Sequence, residues 1–171
     1  MTNSNIDCST PKKMIMQQYA FQFIAQIKLR LEDNQQPMEF MPHLRYRNVK
    51  NLSLYKYGAG PFCKFIKPAA LTSRGIYLIA VNEQIRYVGE CINLSKRFGS
   101  GQYGNISPRN CFKPGGQSTN CKVNHLILNE KKDGHLIVLW FHETPNLNKY
   151  DRGKLEKKMI SILDPQPDWN N

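Results

Sequence analysis

Apolar and polar positions alternate most clearly in the middle of the chain. Runs of apolar, β-branched and aromatic residues cover 75–81 and 85–89, and three polar residues at 82–84 separate them. This pattern predicts two short strands joined as a β-hairpin. The apolar spacing of residues 92–98 then predicts a short helix that leaves the hairpin.

The C-terminal part of the pattern predicts two helices around a buried strand. Helical spacing predicts a helix over 121–133, with Gly134 as its stop, and a last helix over 152–163. The continuous apolar run at 136–141 predicts a central strand. Residues 99–120 are rich in Gly, Ser and Asn, and a loop of this length inside a compact domain indicates a functional role.

The N-terminal part is less regular. Pro11 follows a Ser–Thr pair that can cap a helix, and apolar residues at helical spacing predict that this helix runs to about Asp33. Its apolar stripe predicts packing on the rest of the fold, although a dimer seam would use the same stripe. From 35 to 68, prolines punctuate the chain and cations alternate with aromatic residues, which suits contact with phosphates and bases. The alternative is that these aromatics close the core beneath the sheet.

The composition indicates a globular protein with a polyanionic partner. Of its 171 residues 40% are hydrophobic, and Lys and Arg outnumber Asp and Glu by 24 to 13, which gives a net charge of +11. Such an excess favours a nucleic-acid partner, although a solvated surface without function can show it too. No stretch approaches a membrane span and the N-terminus lacks a secretory signal, so we expect a cytoplasmic protein without a membrane partner.

The five cysteines are an odd number at wide spacing and include no Cys-x-x-Cys pair. This spacing argues against a disulfide framework and against a structural zinc site. A zinc site built from Cys111, Cys121 and His125 stays open as an alternative.

Two tripeptides of the hairpin carry a resemblance to a known family. Gly75-Ile76-Tyr77 lies on the first predicted strand and Tyr87-Val88-Gly89 on the second, and they are followed by Arg97 and, on the last predicted helix, by Glu156. In this order and spacing the motifs resemble the GIY-YIG nuclease superfamily over about 74–171. Within it, the chain is most similar to stand-alone, restriction-endonuclease-like members.

The resemblance implies an α+β fold with a small, mainly antiparallel, three-stranded central sheet flanked by helices. We assign 73–171 to the catalytic core. Residues 1–72 would form a helical, aromatic and basic extension that packs on this core and contacts DNA.

The resemblance also implies the roles of the catalytic residues. Glu156 would hold a single Mg²⁺, for which Mn²⁺ would substitute, while water and the substrate phosphate fill the other positions. Tyr77 would act as general base toward the attacking water or would position it, and Tyr87 would add a second hydroxyl. Arg97 would contact the scissile phosphate and favour the Tyr77 phenolate.

One position departs from the family. Many members have His or Tyr four residues after the arginine, where this chain has Gly101. Tyr103 would occupy the same space if the short helix ends at Gly99, which makes Tyr103 a further catalytic candidate.

Polar side chains around the site are candidate contacts to DNA. Guanidinium, ammonium and amide groups contact phosphates and read base edges, although a polar loop can also be ordered by its own turn hydrogen bonds. Asn170 resembles an asparagine that the family tends to have near the end of the module. The alternative is that Asn170 belongs to a tail without a role in binding. The candidates are Lys96, Arg109, Asn110, Lys113, Gln117, Asn120 and Asn170.

These features together predict a metal-dependent endonuclease that hydrolyses DNA phosphodiester bonds with restriction-type sequence specificity. The alternatives are a single-strand-specific nuclease, a repair or recombination nuclease of the same superfamily, and a non-catalytic nucleic-acid-binding module. Cleavage of duplex DNA needs two active sites and would therefore call for a homodimer.

Overall fold

The computed structural model describes residues 13–66, 68 and 71–170. Eleven strands and four α-helices lie in the described part of the chain, together with the 3₁₀ turns Pro42–Arg45 and Pro108–Cys111. In chain order they are β1 (Lys13–Met16), β2 (Tyr19–Gln26), β3 (Lys28–Leu29), β4 (Glu39–Phe40), β5 (Ser53–Leu54), β6 (Phe62–Cys63), β7 (Phe65–Ile66), β8 (Gly75–Val81), β9 (Gln84–Cys91), α1 (Leu94–Arg97), β10 (Phe112–Lys113), α2 (Ser118–Lys132), β11 (Ile137–Glu143), α3 (Lys149–Leu163) and α4 (Pro167–Asn170).

A five-stranded antiparallel sheet in the order β1-β2-β11-β8-β9 forms the centre of the fold. The predicted hairpin of β8 and β9 is confirmed, but Val81 pairs with Gln84, so the turn holds two residues instead of three. These residues, Asn82 and Glu83, have φ of 46° and 70°. Positive φ at both positions is the geometry of a turn whose twist matches that of the strands it joins.

Helices cover both faces of this sheet. Because side chains alternate across a strand, β8 contributes to two separate cores. Tyr77, Ile79 and Val81 pack in one cluster with residues of α2, whereas Ile76, Leu78 and Ala80 pack in another with Leu155 and Met159 of α3. The predicted α+β class with a mainly antiparallel sheet and flanking helices is thus confirmed.

The predicted N-terminal helix and the count of three strands are wrong. Residues 13–26 form β1 and β2, and β2 lies inside the sheet beside β11, so this segment belongs to the core and not to an extension packed on it. Met14, Met16, Tyr19, Phe21 and Phe23 share one face and pack in the α3-side cluster. A period of two therefore fits this segment better than helical spacing does, and pairing with β11 decides between them. The proposed helix cap lies outside the described residues.

The aromatic and basic segment folds together with the long loop. β5 pairs with β10, and side chains from both parts form a smaller core with Cys121 of α2. Its members are Phe62, Ile106, Cys111, Phe112 and Cys121. Several aromatics of residues 40–57 pack against it. For these side chains the alternative interpretation, closure of a core, is the one that the structure supports.

The remaining predicted elements are present with shifted ends. α2 begins three residues earlier than expected and α3 begins at Lys149, where Asn148 caps it by accepting a hydrogen bond from the Asp151 amide at 3.0 Å. In the described part of the chain, the helices are too short or too polar to cross a bilayer.

Candidate active site

Three tyrosine hydroxyls meet beside the hairpin. The Tyr103 hydroxyl lies 2.8 Å from that of Tyr77 on β8 and 3.2 Å from that of Tyr87 on β9, both within hydrogen-bonding distance. The side chains are almost completely buried, with 1%, 1% and 7% of the residue surface exposed for Tyr77, Tyr103 and Tyr87. The structure thus places the Tyr103 hydroxyl beside that of Tyr77.

Gly89 makes room for this cluster. It pairs with Tyr77 across the hairpin, and a Cβ at this position would lie 2.3 Å from the Tyr77 hydroxyl and 2.8 Å from the Tyr87 ring. Such distances are far below van der Waals contact, so a larger residue would displace the phenols. This close approach is a physical reason for the glycine of the second tripeptide.

A buried asparagine holds the main chain of Tyr103. Asn124 on α2 is completely buried, and its Nδ2 donates to the Tyr103 carbonyl at 2.6 Å and to the Cys63 carbonyl at 2.8 Å. The Tyr103 amide donates to the Arg97 carbonyl at 3.1 Å. Sequence reasoning missed Asn124, because a polar residue on a helix gives no sign of what it contacts.

Arg97 lies at the end of α1, over the tyrosine cluster. Its Nη1 donates to Gln102 Oε1 at 3.0 Å, and its Cζ lies 5.5 Å from the centre of the Tyr103 ring. Asn93 caps α1 by accepting a hydrogen bond from the Lys96 amide at 2.8 Å. The cap and the Gln102 contact together fix the position of the guanidinium.

The outer edge of β9 positions Glu156. The Glu90 amide donates to Glu156 Oε1 at 3.0 Å, and the Val88 amide donates to Asn170 Oδ1 at 3.0 Å. Asn170 Nδ2 returns a hydrogen bond to the Val88 carbonyl at 2.8 Å. Groups at the edge of a sheet need partners outside the ladder, and here the carboxylate and the tail amide supply them.

A partly buried ion pair ties α3 to the same edge. Arg152 Nε donates to Glu90 Oε2 at 2.9 Å and Arg152 Nη1 donates to the Leu147 carbonyl at 2.9 Å, while only 1% of Arg152 is exposed. Arg152 precedes Glu156 by one helical turn, so the pair also fixes where Glu156 lies. Neither Glu90 nor Arg152 is part of the sequence prediction, which read Arg152 only as the start of a helix.

The predicted catalytic residues line one cleft of about 370 Å³, called here the catalytic cleft. It contains Tyr77, Tyr87, Arg97, Tyr103 and Glu156, together with Glu90 and residues 116–120. A cleft of about 460 Å³ shares Arg97 and Gln117 with it, and another of about 500 Å³ shares Tyr87, Ser118, Thr119 and Glu156. The three clefts form one groove, called here the active-site groove.

Similarity to known proteins is sparse. No protein-family model matches the chain, and no curated protein matches it in sequence. The chain is similar in structure to a mutant of bacteriophage T4 EndoII. The two chains are 22% identical with a TM-score of 0.49, over 70% of this chain and 87% of the other. Function must therefore be inferred from the side chains of the cleft.

Burial decides the protonation of Tyr77. It raises the pKa of the Tyr77 hydroxyl well above the usual range, Tyr103 and Tyr87 raise it further, and Arg97 opposes them without prevailing. Arg97 thus acts in the expected direction, toward the phenolate, but burial outweighs it and keeps Tyr77 protonated at neutral pH. Of the two roles predicted for Tyr77, this protonation supports positioning of the attacking water over general base catalysis.

The carboxyl group of Glu156 is also perturbed. Burial raises its pKa above the ordinary value and the nearby Glu90 adds to this, whereas the Glu90 amide, Arg97 and Lys157 lower it. The anion is therefore incompletely compensated by the protein, a condition that a bound cation would relieve.

The donor atoms at Glu156 fit a hard cation. A carboxylate and nearby phenol hydroxyls offer oxygen ligands, which Mg²⁺ accepts together with water. Among the described residues, no group of three His, Cys, Asp or Glu side chains could hold a metal ion. The alternative zinc site is therefore not formed, and His125 instead contacts the Pro61 carbonyl at 3.2 Å.

Four predicted DNA contacts face solvent or the groove. Lys96 is exposed and lines the cleft beside Arg97, and Gln117 lines that cleft and the catalytic one. Asn120 also lines the catalytic cleft, but it is buried and donates to Gln117 Oε1 at 2.6 Å, so it orients Gln117. Lys113 is exposed on β10.

The other three candidates hold the protein together. Arg109 donates to the Phe112 carbonyl at 2.8 Å and to the Pro114 carbonyl, and Asn110 donates to the Gly101 carbonyl at 3.0 Å. Asn170 is engaged with β9, as described above. These contacts give the three residues structural roles. Asn170 also lines the cleft of about 500 Å³, and contact with nucleic acid stays a prediction for all three.

Proposed function

We propose that this protein is a divalent-metal-dependent endonuclease of the GIY-YIG type that hydrolyses phosphodiester bonds in DNA. The observation that carries the proposal is the convergence of Tyr77, Tyr87 and Arg97 with the distant Glu156 in one cleft of a protein with a net charge of +11. A non-catalytic binding module would not need a carboxylate held in such a groove, because an anion there repels phosphate.

Each residue of the cleft has a distinct role. Glu156 would hold Mg²⁺ or Mn²⁺, which supplies Lewis acidity toward the phosphoryl oxygens when bound. Arg97 contacts the scissile phosphate through its forked guanidinium. The protonated Tyr77 positions the attacking water, Tyr87 adds a second hydroxyl, and Tyr103 orients both phenols through its hydrogen bonds.

Cleavage assays test this function. Wild-type protein is expected to cut DNA with Mg²⁺ or Mn²⁺ and to be inactive with EDTA. Glu156→Gln and Tyr77→Phe are expected to bind DNA normally and to lose cleavage by about 10²–10⁴-fold. The control is Glu143→Gln, which removes an exposed carboxylate that does not line the groove. Undiminished cutting by Glu156→Gln would exclude the proposed metal site.

We further propose restriction-type sequence specificity. Gln117 presents an amide in the catalytic cleft and is oriented by Asn120, and amides of this kind pair with adenine edges. Sequencing the cut ends of matched single- and double-stranded DNA libraries distinguishes this specificity from the single-strand and repair alternatives. A homodimer would accompany duplex cutting, and a cytoplasmic location stays a prediction.

A further inference from the structure

One part of the active-site groove shares Tyr87 and Glu156 with the catalytic cleft but does not include Arg97. This part, called here the lysine cleft, measures about 500 Å³ against about 370 Å³ for the catalytic cleft. Its walls come from the turn after β5, the start of α2, α3 and the C-terminal α4. The lining includes Tyr55, Lys56, Tyr57, Lys122, Lys157 and Trp169.

Three ammonium groups line this cleft. Lys56 and Lys157 are exposed and Lys122 is half-buried. Burial is the main cause that lowers the pKa of Lys122. The charge of Lys56 lowers this pKa further, whereas Asp168 raises it. Lys56 and Lys122 line the same cleft, so a phosphate placed there would be attracted by both ammonium groups.

The turn that carries Lys56 is fixed in place. The Tyr55 amide donates to the Cys111 carbonyl at 2.9 Å, and the Gly58 amide donates to the Tyr55 carbonyl at 2.8 Å. Gly58 packs so closely that a Cβ there would lie 2.3 Å from the Cys111 carbonyl oxygen. The Tyr55 hydroxyl also lies 3.3 Å from the carbonyl of Gly116, which lines the catalytic cleft. Lys56 is thus held by the same loop that borders the catalytic residues.

We propose that Lys56 and Lys122, with Lys157, form a phosphate subsite for the nucleic-acid strand that passes through the catalytic cleft. The subsite binds the phosphodiester backbone in the cleft that shares Glu156 with the catalytic cleft, whereas Lys96 lies in the cleft that shares Arg97. This inference rests on the proposed function, because it describes the path of the same substrate. The N-terminal segment thereby acquires a defined role in binding.

Salt-dependent DNA binding tests the subsite. Affinities are measured by fluorescence anisotropy with labelled single-stranded and duplex oligonucleotides over a salt series, in full-length Glu156→Gln protein. The variant Lys56→Met/Lys122→Met is compared with Lys154→Met/Lys158→Met, which removes the same charge from exposed residues of α3 that line none of the three clefts.

Loss of two phosphate contacts should reduce the slope of log Kd against log salt by about 1.4 for single strands and about 1.8 for duplex. A slope change of about 1.4 corresponds to about 25-fold weaker binding at 0.1 M salt, relative to 1 M. The control variant should change the slope much less. Thermal unfolding checks that each variant is folded, and Lys56→Met alone, at an exposed position, gives half of the effect if the double variant is unstable.

The outcomes separate the two proposals. Equal slopes for the lysine-cleft variant and its control would overturn the subsite, while cleavage by the wild type would still uphold the nuclease. The expected slope change without any cleavage by the wild type would uphold the subsite and remove the nuclease. Failure of every form to bind DNA would overturn both.

Discussion

In the proposed metal site, a proton and a metal ion would compete for the carboxylate of Glu156. Because its pKa is raised, mainly by burial, it becomes protonated at a pH where an ordinary glutamate is still ionised. Affinity for Mg²⁺ or Mn²⁺ should therefore fall on acidification earlier than for an exposed carboxylate. Calorimetric titration of Mn²⁺ between acidic and neutral pH measures this, with Glu156→Gln as the control that binds no ion. An affinity that does not change over this range would contradict the assignment.

Tyr103 contacts both tyrosines of the hairpin through one hydroxyl. Tyr103→Phe keeps the buried ring but leaves the hydroxyls of Tyr77 and Tyr87 without this partner. We expect cleavage to fall by about 10²-fold, and the free energy of unfolding to fall by about 1 kcal/mol. Single-turnover cleavage and urea unfolding provide the two values, and Tyr150→Phe, at a residue that is 70% exposed, serves as control. Wild-type cleavage by Tyr103→Phe would leave Tyr103 a packing role only.

For individual residues, the sequence could indicate which side chains lie close together but not their protonation state or their hydrogen-bond partners. The family resemblance, carried by the order and spacing of the motifs, selected Tyr77, Tyr87, Arg97 and Glu156. The protonation of Tyr77 depends on burial, which a tripeptide does not reveal. Arg109 likewise has the same side chain whether it binds a phosphate or, as here, two carbonyl groups of its own loop.

The packing of the two tyrosines of the β8–β9 hairpin depends on Gly89, which lies opposite Tyr77. Gly89→Ala would place a Cβ 2.3 Å from the Tyr77 hydroxyl, so the ring must move. We expect a loss of about 1–3 kcal/mol in the free energy of unfolding, together with most of the cleavage activity. Gly153→Ala is the matched control, because its Cβ would meet no atom within 4 Å. Gly153 lies on α3, where alanine should raise the free energy of unfolding by about 1 kcal/mol. Similar unfolding curves for both variants would contradict the crowding at Gly89.

Elements with a strong local signal were predicted, whereas those that depend on distant partners were not. The hairpin, α2, β11 and α3 have clear periodicity or turn residues. Residues 13–26 have apolar positions that fit a helix or a strand, and only the edge of β11 selects the strand. The ion pair between Arg152 and Glu90 is likewise a product of how α3 packs on β9.

The whole molecule brings four separate parts of the sequence to one groove. The N-terminal segment supplies the turn with Lys56, the hairpin supplies tyrosines, the long loop supplies Tyr103 and Gln117, and the C-terminal helices supply Glu156 and Trp169. The motif positions suggested a domain boundary at residue 72. The structure has strand pairing across this boundary, because β2 before it pairs with β11 after it. Antiparallel pairing between distant segments leaves no trace in local periodicity, so this arrangement could not be predicted.

The position of the catalytic cleft within the groove predicts the mode of cutting. One lysine-containing cleft shares Arg97 with it and another shares Glu156, so a strand can extend into both of them and no free end is required. We therefore expect closed circular DNA to be cut at a rate similar to that of the same sequence in linear form. Agarose gels of a time course, with supercoiled plasmid and its linearised form, measure both rates.

The order in which products appear reports the assembly that cuts. One catalytic cleft can cut one strand per encounter, so a monomer should convert supercoiled plasmid to nicked circles before any linear DNA appears. A homodimer that presents two clefts should give linear DNA with little nicked intermediate, and sedimentation at the assay concentration checks the assembly directly. Degradation of the linear form from its ends, with circles left intact, would contradict a strand that passes through the groove.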